Sequence, residues 1–282
     1  MRTPSKINLF LRVAGCRSDG YHELETLFYP LETPSDEIEI RKTGRAGIEF
    51  VSDDPALPGG DGNLCVKALK KYCAAAGLEP DGYRIELKKH IPVAAGMGGG
   101  SSDAAAVLRL MQRGSGNALS PECLADTALS IGADVPFFLE PRPCTAGGIG
   151  EKIAFLDGIP DRLPILIAAP RFPVSAKWAY RNWHPEEHGA SCKLDSLIAA
   201  LRVRDFAAAA AFLRNDLEAA VLRKFPYLNM IHDEFLKLGA CRVLMTGSGP
   251  TLFAMFRDFE SRDAAERAFP RADLPSELIC PR

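Results

Sequence analysis

Four glycines stand between positions 96 and 100, followed by Ser101, Ser102 and an alanine-rich stretch that runs to Arg113. No other segment limits the folding of this chain so tightly. Glycine adopts backbone angles closed to other residues and lets a ligand approach the main chain, and successive N–H groups form an anion-binding concavity. Residues 104–113 favour helix. A helix that opens at the end of such a loop aims unpaired amides and the positive end of its dipole at one place. Ser101 and Ser102 add hydroxyl donors. The run AAGMGGGSSDAAA therefore suits a polyphosphate, although it carries no positive charge. The GxxxxGKS or GxxxxGKT order is absent, and GMGGGS meets only the start of GxGxxG, without the acidic partner. On the residues alone, a phosphate-holding loop and a glycine turn that only opens a helix both stand.

The flanking chain mixes strand and helix patterns. Ile7, Leu9 and Leu11 recur at period two, and after the turn CRSDGYH the apolar pattern resumes in ELETLFYPL and in 36–40. Residues 52–63 read as a loop, 65–77 as a helix capped by Gly77, and YRIELKKHIP as a strand that stops at Pro92. Residues 120–132 form a second helix pattern, with Ser120 at the cap and Pro121 at the first helical position. GADVPFFLEPRP is expected to leave it as a strand or extended loop. RLPILIAAP reads as a buried strand, 195–224 as largely helical, and MIHDEFLKLG as a helix ending near Gly239. CRVLMTGSGPTLFAMF reads as two strands joined by TGSGPT (246–251), with SRDAAERAFP as a last helix. TGSGPT is either a plain hairpin turn or backbone brought close to the first loop or to a ligand. We expect a boundary near residue 160, dividing a lobe 1–160 with the glycine–serine loop from a lobe 161–282.

Composition excludes several classes. Lys plus Arg number 34 against 36 Asp plus Glu, so nothing points to a nucleic-acid backbone as partner. With 47% apolar and 25% charged residues a substantial core is expected. The strongest uncharged apolar stretch, 163–170, is far below the roughly 20 residues that cross a bilayer. MRTPSKINLFLRV is unlike a signal peptide, so a cytoplasmic protein without a membrane partner is expected. The eight cysteines are scattered without a CxxC pair and read as apolar fillers or surface thiols. His184 and His188 stand four apart, but Pro185 follows the first, so this reads as a solvated turn and no protein-built metal site is expected.

Two ionisable residues have a coherent chemistry. Lys6 lies in an apolar strand, and Asp134 follows a helix and precedes VPFF. A carboxylate can orient and deprotonate a hydroxyl, and an ammonium can hold an alkoxide or a transferring phosphoryl group. The plain readings are an edge lysine with its ammonium in water and an aspartate that forms a turn.

PSKINLFLRV, RSDGYHELETLF, PVAAGMGGGSSDAAA, GADVPFFL and MTGSGPTLFAMF, in this order and spacing, resemble the small-molecule kinase superfamily of galactokinase, homoserine kinase, mevalonate kinase and phosphomevalonate kinase. SKINLFL with DGYHEL and GADVPFF resembles, within it, the kinases of a cytidyl-linked methylerythritol in the non-mevalonate isoprenoid pathway. The resemblance spans almost the whole chain, with little to match over 171–240. It implies an α+β, two-lobed fold with a ribosomal-protein-S5-like N-terminal lobe and a ferredoxin-like C-terminal lobe. It implies transfer of the ATP γ-phosphoryl group to the 2-hydroxyl of that substrate. Another alcohol kinase of the superfamily, for mevalonate, homoserine or a sugar, is the alternative. An ATP-binding sensor without turnover is a second.

The resemblance also assigns residues. Asp134 would be the base on the hydroxyl and Lys6 would hold its charge, with Asn8 lining the same pocket. Gly96, Met97, Gly98, Gly99, Gly100, Ser101 and Ser102 would cradle the ATP phosphates, with Pro92 ahead of them. Asn63 and Leu64 match the segment that lines the nucleotide base site. Gly247, Ser248 and Gly249 would close the catalytic cleft. DGYH would address cytosine, Tyr21 by stacking and His22 at the polar edge, with a second ring from Trp178 or Tyr180. Mg²⁺ would accompany ATP, held mainly by its phosphates. Asp103 is either a ligand to it or a residue that caps or orients the helix. The chain departs from the pattern at Met97, where leucine is expected, at DGN (61–63), and at EPRPC, where Pro141 and Pro143 remove two donors. Monomer and homodimer both stay open.

Overall fold

Residues 1–185, 193–270, 274 and 276–281 are described by the computed structural model. In chain order the elements are β1 (Arg2–Cys16), β2 (His22–Lys42), β3 (Ile48–Ser52), α1 (Leu64–Ala76), β4 (Tyr83–Lys88), α2 (Gly99–Gly114) and α3 (Pro121–Leu129). A single-turn 3₁₀ helix, Pro136–Leu139, leads to β5 (Cys144–Gly147), β6 (Lys152–Phe155), β7 (Ile165–Pro170) and α4 (Ala176–Arg181). Then come α5 (Leu194–Arg202), α6 (Phe206–Ala210), β8 (Arg214–Asn215), α7 (Glu218–Lys224) and α8 (Tyr227–Lys237). The last elements are β9 (Arg242–Met245), β10 (Leu252–Met255), α9 (Phe259–Ala268) and β11 (Ser276–Ile279). They divide into two compact units, the first made of Met1–Ser5, Pro34–Ile91 and Gly98–Pro141, the second of Lys6–Thr33, Pro92–Met97 and Arg142 onward. The boundary expected near residue 160 lies inside the second unit.

In the first unit the later half of β2 pairs antiparallel with β4, from Glu37 opposite Lys88 to Lys42 opposite Tyr83, and β3 runs parallel to β4. Ile38, Ile85 and Leu87 are buried on this sheet, and α1 packs on α2, with Leu69 and Tyr72 of the one and Val107 and Leu108 of the other buried. Helix α1 forms where local signals agree. Asn63 accepts a hydrogen bond from the Cys65 amide at its start, and Gly77 ends it in the left-handed conformation at φ 65°. The Tyr72 ring is buried and its hydroxyl donates to Gln112 Oε1 at 2.6 Å, which satisfies the one polar atom the ring takes into the core.

In the second unit the early half of β2 pairs antiparallel with β5, β5 with β6, and β1 runs parallel to β8 at Phe10 and Leu11. A separate antiparallel sheet has the order β11-β7-β10-β9. Both faces of β7 and β10 are buried, so these strands read as continuous apolar runs rather than alternating ones. Ile231 and Phe235 of α8 and Ala265 of α9 share one core with Leu166, Val243 and Leu252 of this sheet.

Three expectations change. GADVPFFL does not extend into a strand: Pro136 opens a 3₁₀ turn that buries Phe137 and Phe138 together, edge to face at 4.9 Å, where a strand would send them to opposite faces. The helical tract 195–224 is broken by β8, because Asn215 and Asp216 bind main chain elsewhere with their side chains. Helix α2 begins at Gly99, not at Ala104, so Gly99, Gly100, Ser101 and Ser102 are its first turn. No described helix is long and apolar enough to cross a membrane. Among the described cysteines Cys65, Cys73 and Cys144 are buried and Cys16 and Cys241 exposed, whereas Cys192 and His188 lie outside the described residues.

Candidate functional site

Residues at i and i+2 of a strand share a face, and this places Lys6 beside Asn8 on β1. Lys6 is only 4% exposed, which removes its reading as an edge lysine. Its Nζ donates to Asn8 Oδ1 at 2.6 Å and lies 5.1 Å from the centre of the Phe28 ring. Asn8 is fixed in turn. Its Nδ2 donates to Thr26 Oγ1 at 2.8 Å, whose hydroxyl donates to the Phe10 carbonyl, and its backbone N–H donates to Thr246 Oγ1 at 3.0 Å. A buried ammonium is stable only with such partners. The Lys6 amide donates to the Met97 carbonyl at 3.0 Å, which ties the strand to the glycine run.

The two glycine turns meet within the second unit. At Gly96, φ is +78° and an added Cβ would come within 2.4 Å of the Thr246 carbonyl oxygen. At Gly247, φ is +55° and a Cβ would come within 2.8 Å of the Gly96 carbonyl oxygen. TGSGPT is therefore more than a plain hairpin turn: its backbone lies directly against the first loop. Asn215 holds it there, with Nδ2 donating to the carbonyls of Met245 and Gly247 (2.6 and 2.8 Å) and Oδ1 accepting the Leu217 amide. Glu218 accepts the Met245 amide at 2.7 Å, and burial pushes its carboxyl up from the ordinary range. Neither residue is visible as functional in the sequence. The only signal for Asn215 is a polar triplet, Arg214-Asn215-Asp216, interrupting an alanine- and leucine-rich tract.

In the first unit, Gly98 is the N-cap of α2 at φ +74° and brings no side chain to the helix start. The first amides of α2 are thus not taken by a capping side chain and suit an anion. Ser102 is buried, and its Oγ has no hydrogen-bond partner among the described residues, a polar atom that matches the same use. Ser101 is half-buried and Gly100 exposed. Pro92 is half-buried in the second unit. Asn63 is 6% exposed, and its side chain caps α1 and donates to the Pro58 carbonyl at 2.9 Å, so its amide serves the fold; Leu64 opens α1. Asp134 is half-buried between α3 and the 3₁₀ turn.

Asp103 is 2% exposed. Its carboxylate accepts Lys89 Nζ at 2.9 Å and Thr3 Oγ1 at 3.0 Å, so both oxygens are engaged within the fold and the side chain orients the helix. Lys89 also donates to Asp36, whose other oxygen accepts the amides of His90 and Ile91 at 2.6 and 2.7 Å. One ammonium faces two buried carboxylates. Burial, with Asp36 adding to it, pushes Asp103 up to about 7 against the pull of Lys89. Lys89 is subject to a lowering by burial, which Asp103 and Asp36 outweigh, so it is raised. Among the described residues, Asp263, Glu266 and Cys280 form the one cluster of three with metal-binding atoms; none of them belongs to the residues singled out above, and Asp263 accepts Arg262 Nε at 2.6 Å.

The cytosine candidates lie in the second unit. The His22 ring stacks on Tyr180 at 5.1 Å and 29° and meets the edge of Trp183 at 5.7 Å and 89°. Burial lowers its pKa. Tyr21 is 59% exposed. Trp178 goes elsewhere, to Phe225 at 6.4 Å and under Lys224 Nζ at 3.8 Å. Trp183, absent from the sequence reading, thus joins His22 where Trp178 does not. Gly249 and Ser248 complete the second glycine turn, where Gly249 donates to the Thr246 carbonyl at 2.9 Å.

Two family models match the chain, the GHMP kinases N terminal domain over residues 63–141 and the GHMP kinases C terminal domain over 197–275. The chain is 38% identical to the 4-diphosphocytidyl-2-C-methyl-D-erythritol kinase of Geobacter sulfurreducens, over 95% of this chain and 92% of the relative. It is 38% identical to the kinase of the same name from Clostridium botulinum (strain Kyoto / Type A2), over 90% and 89%. Among solved structures, a 4-(cytidine 5'-diphospho)-2C-methyl-D-erythritol kinase matches at TM-score 0.80 and 35% identity, covering 99% of this chain and 97% of that one. Homoserine kinase from Cytophaga hutchinsonii matches at TM-score 0.76 and 22% identity, over 100% and 94%, and so speaks for the fold.

Proposed function

Since the chain belongs to the GHMP kinases, and among them to the 4-diphosphocytidyl-2-C-methyl-D-erythritol kinases, we propose that Lys6 and Asp134 carry out its reaction. That reaction transfers the γ-phosphoryl group of ATP to the 2-hydroxyl of 4-diphosphocytidyl-2-C-methyl-D-erythritol. Asp134 accepts the hydroxyl proton as the oxygen bonds to the γ-phosphorus. The bond from that phosphorus to the β–γ bridging oxygen breaks, and ADP leaves with its electron pair. Lys6 offsets the negative charge that gathers on the transferring group. Phosphoryl transfer asks a protein mainly for position and electrostatic stabilisation, and a buried ammonium in low dielectric supplies the latter strongly. The observation that carries this reading is the setting of Lys6: enclosed, aligned by Asn8, and joined through its amide to the glycine run.

The first turn of α2, Gly99 to Ser102, with Gly96, Met97 and Gly98 before it, holds the ATP phosphates. Asn63 and Leu64 open the helix assigned to the base side, and Pro92 precedes the run. Mg²⁺ accompanying ATP would be held mainly by the phosphates and would offset part of their negative charge. Gly247, Ser248 and Gly249 line the acceptor side with Asn8. Tyr21, His22 and Tyr180 receive the cytosine, and the stacking of His22 on Tyr180 favours this substrate over mevalonate, homoserine or a sugar. A cytoplasmic place and a homodimer or monomer are compatible with this chemistry.

The test is an ATP-dependent assay across these alcohols. Asp134→Ala and Lys6→Ala are expected to lose about 10²–10⁴ in kcat while ATP binding largely survives. Undiminished turnover in Asp134→Ala would remove the base from this account. Faster phosphorylation of mevalonate or homoserine than of the cytidyl compound would remove the substrate assignment.

A further inference from the structure

The start of α2 has no side-chain cap, and the Ser102 amide, donating to the Gly98 carbonyl at 2.9 Å, closes its first turn. Something else must fix where that turn sits. The buried cluster of Lys89, Asp36 and Asp103 holds the chain on both sides of it. On the incoming side, Asp36 gathers the amides of His90 and Ile91 as well as Lys89. On the outgoing side, Asp103 stands directly after Ser102 and takes Lys89 and Thr3. Lys89 bridges the two, and its Nζ would lie 3.2 Å from a Cβ on Gly99, so the ammonium is set against the first residue of the helix. With two carboxylates on one ammonium the cluster does not supply a net positive charge to a phosphate. Its use is geometric. The other titratable group facing Asp103 is the buried Cys65 thiol of α1, which burial and Asp103 both push up.

We propose that Lys89, Asp36 and Asp103 are positioning residues for ATP, holding the strand that enters the glycine run and the helix that leaves it at the spacing the phosphates need. The proposal rests on the reading that the start of α2 binds those phosphates. Asp103→Leu, similar in size but without hydrogen-bonding atoms, is expected to raise KM for ATP at least tenfold, with kcat and KM for the alcohol within threefold of wild type. Asp103→Asn, which can still accept from Lys89, should return KM for ATP to within threefold. Thr3→Val removes one hydrogen bond to Asp103 and should raise KM for ATP about fivefold, which gives a second test if Asp103→Leu does not fold. Gly98→Val probes the loop itself and should raise KM for ATP in any case. Folded Asp103→Leu or Thr3→Val with unchanged KM for ATP, beside a raised value in Gly98→Val, overturns the positioning role alone. A uniform loss in kcat and both KM values overturns it too, since that marks a merely structural cluster. An unchanged value in Gly98→Val overturns the phosphate reading, and this proposal with it.

Discussion

Around the start of α2 the groups that fix the backbone are charged, Lys89 with Asp36 and Asp103, whereas around the turn at Gly247 they are mostly neutral, Asn215 and the closely packed carbonyls of Gly96 and Thr246, with the Glu218 carboxyl on the neighbouring Met245 amide. The charged cluster and the Gly247 turn are both buried, and both regions hold a glycine at positive φ. The difference is in what each can tolerate. A charged cluster answers to protonation and to the loss of any one partner, because the remaining charges stay buried. A backbone-on-backbone contact is insensitive to pH and admits no added atom, because neither carbonyl can swing aside as a side chain would.

The largest expected effect breaks the neutral side. Gly96→Ala places a Cβ 2.4 Å from the Thr246 carbonyl oxygen at a left-handed φ, and should cost about 3 kcal/mol or more, read as a fall in melting temperature together with lost turnover. A stable, active variant would show that the two turns part easily. Next is Asn215→Ala, which leaves the buried carbonyls of Met245 and Gly247 and the Leu217 amide without their partner. Denaturant unfolding should register about 2–4 kcal/mol, at the same value from pH 5 to 8. A cost near zero would mean that the glycine packing alone positions the turn.

The smallest effect sharpens the charged side. Asp103 keeps its proton up to about 7 in the folded protein against 3.8 ordinarily, so between those values the folded state binds more protons than the unfolded one. Its contribution to stability is therefore complete below about 4 and is lost as pH rises through 7. Melting temperatures taken from pH 5 to 8 should fall more steeply in wild type than in Asp103→Asn. Parallel curves would show that Asp103 ionises without consequence for the fold.

What the sequence makes legible follows the range over which the causes act. Helix α1, its cap at Gly77 and the Ser120 cap of α3 depend on residues a few positions apart, and they are found where expected. Strands β9 and β10 with their glycine turn are equally plain, since each is a short apolar run beside a breaker. Strand β8 has two residues and no periodicity to detect, and it exists because it pairs with β1. Lys6 and Asp134 could be named from chemistry and resemblance. The enclosure of Lys6 could not, because an isolated lysine in an apolar strand reads equally well as an edge residue. For Asp103 the sequence leaves a metal ligand and a helix orienter equally open, because the partners that engage its carboxylate lie 14 residues away, at Lys89, and 100 residues away, at Thr3. Asn215 illustrates the same limit, since its two carbonyl partners lie 30 and 32 residues on.

The hydrogen bond from the Asn8 amide to Thr246 joins residues 238 positions apart. At the roughly 5–20 residues per second of ribosomal synthesis, the strand bearing Lys6 waits about 10 to 50 seconds before its last partner is made. During that interval β1 is an apolar strand whose neighbours β8 and the turn at Thr246 do not yet exist. The first unit has no such delay, since all its segments are made by Pro141. The start of α2 proposed for phosphates can thus be assembled on the nascent chain, whereas Gly96 and the lysine proposed for catalysis take their final setting only when synthesis is nearly over.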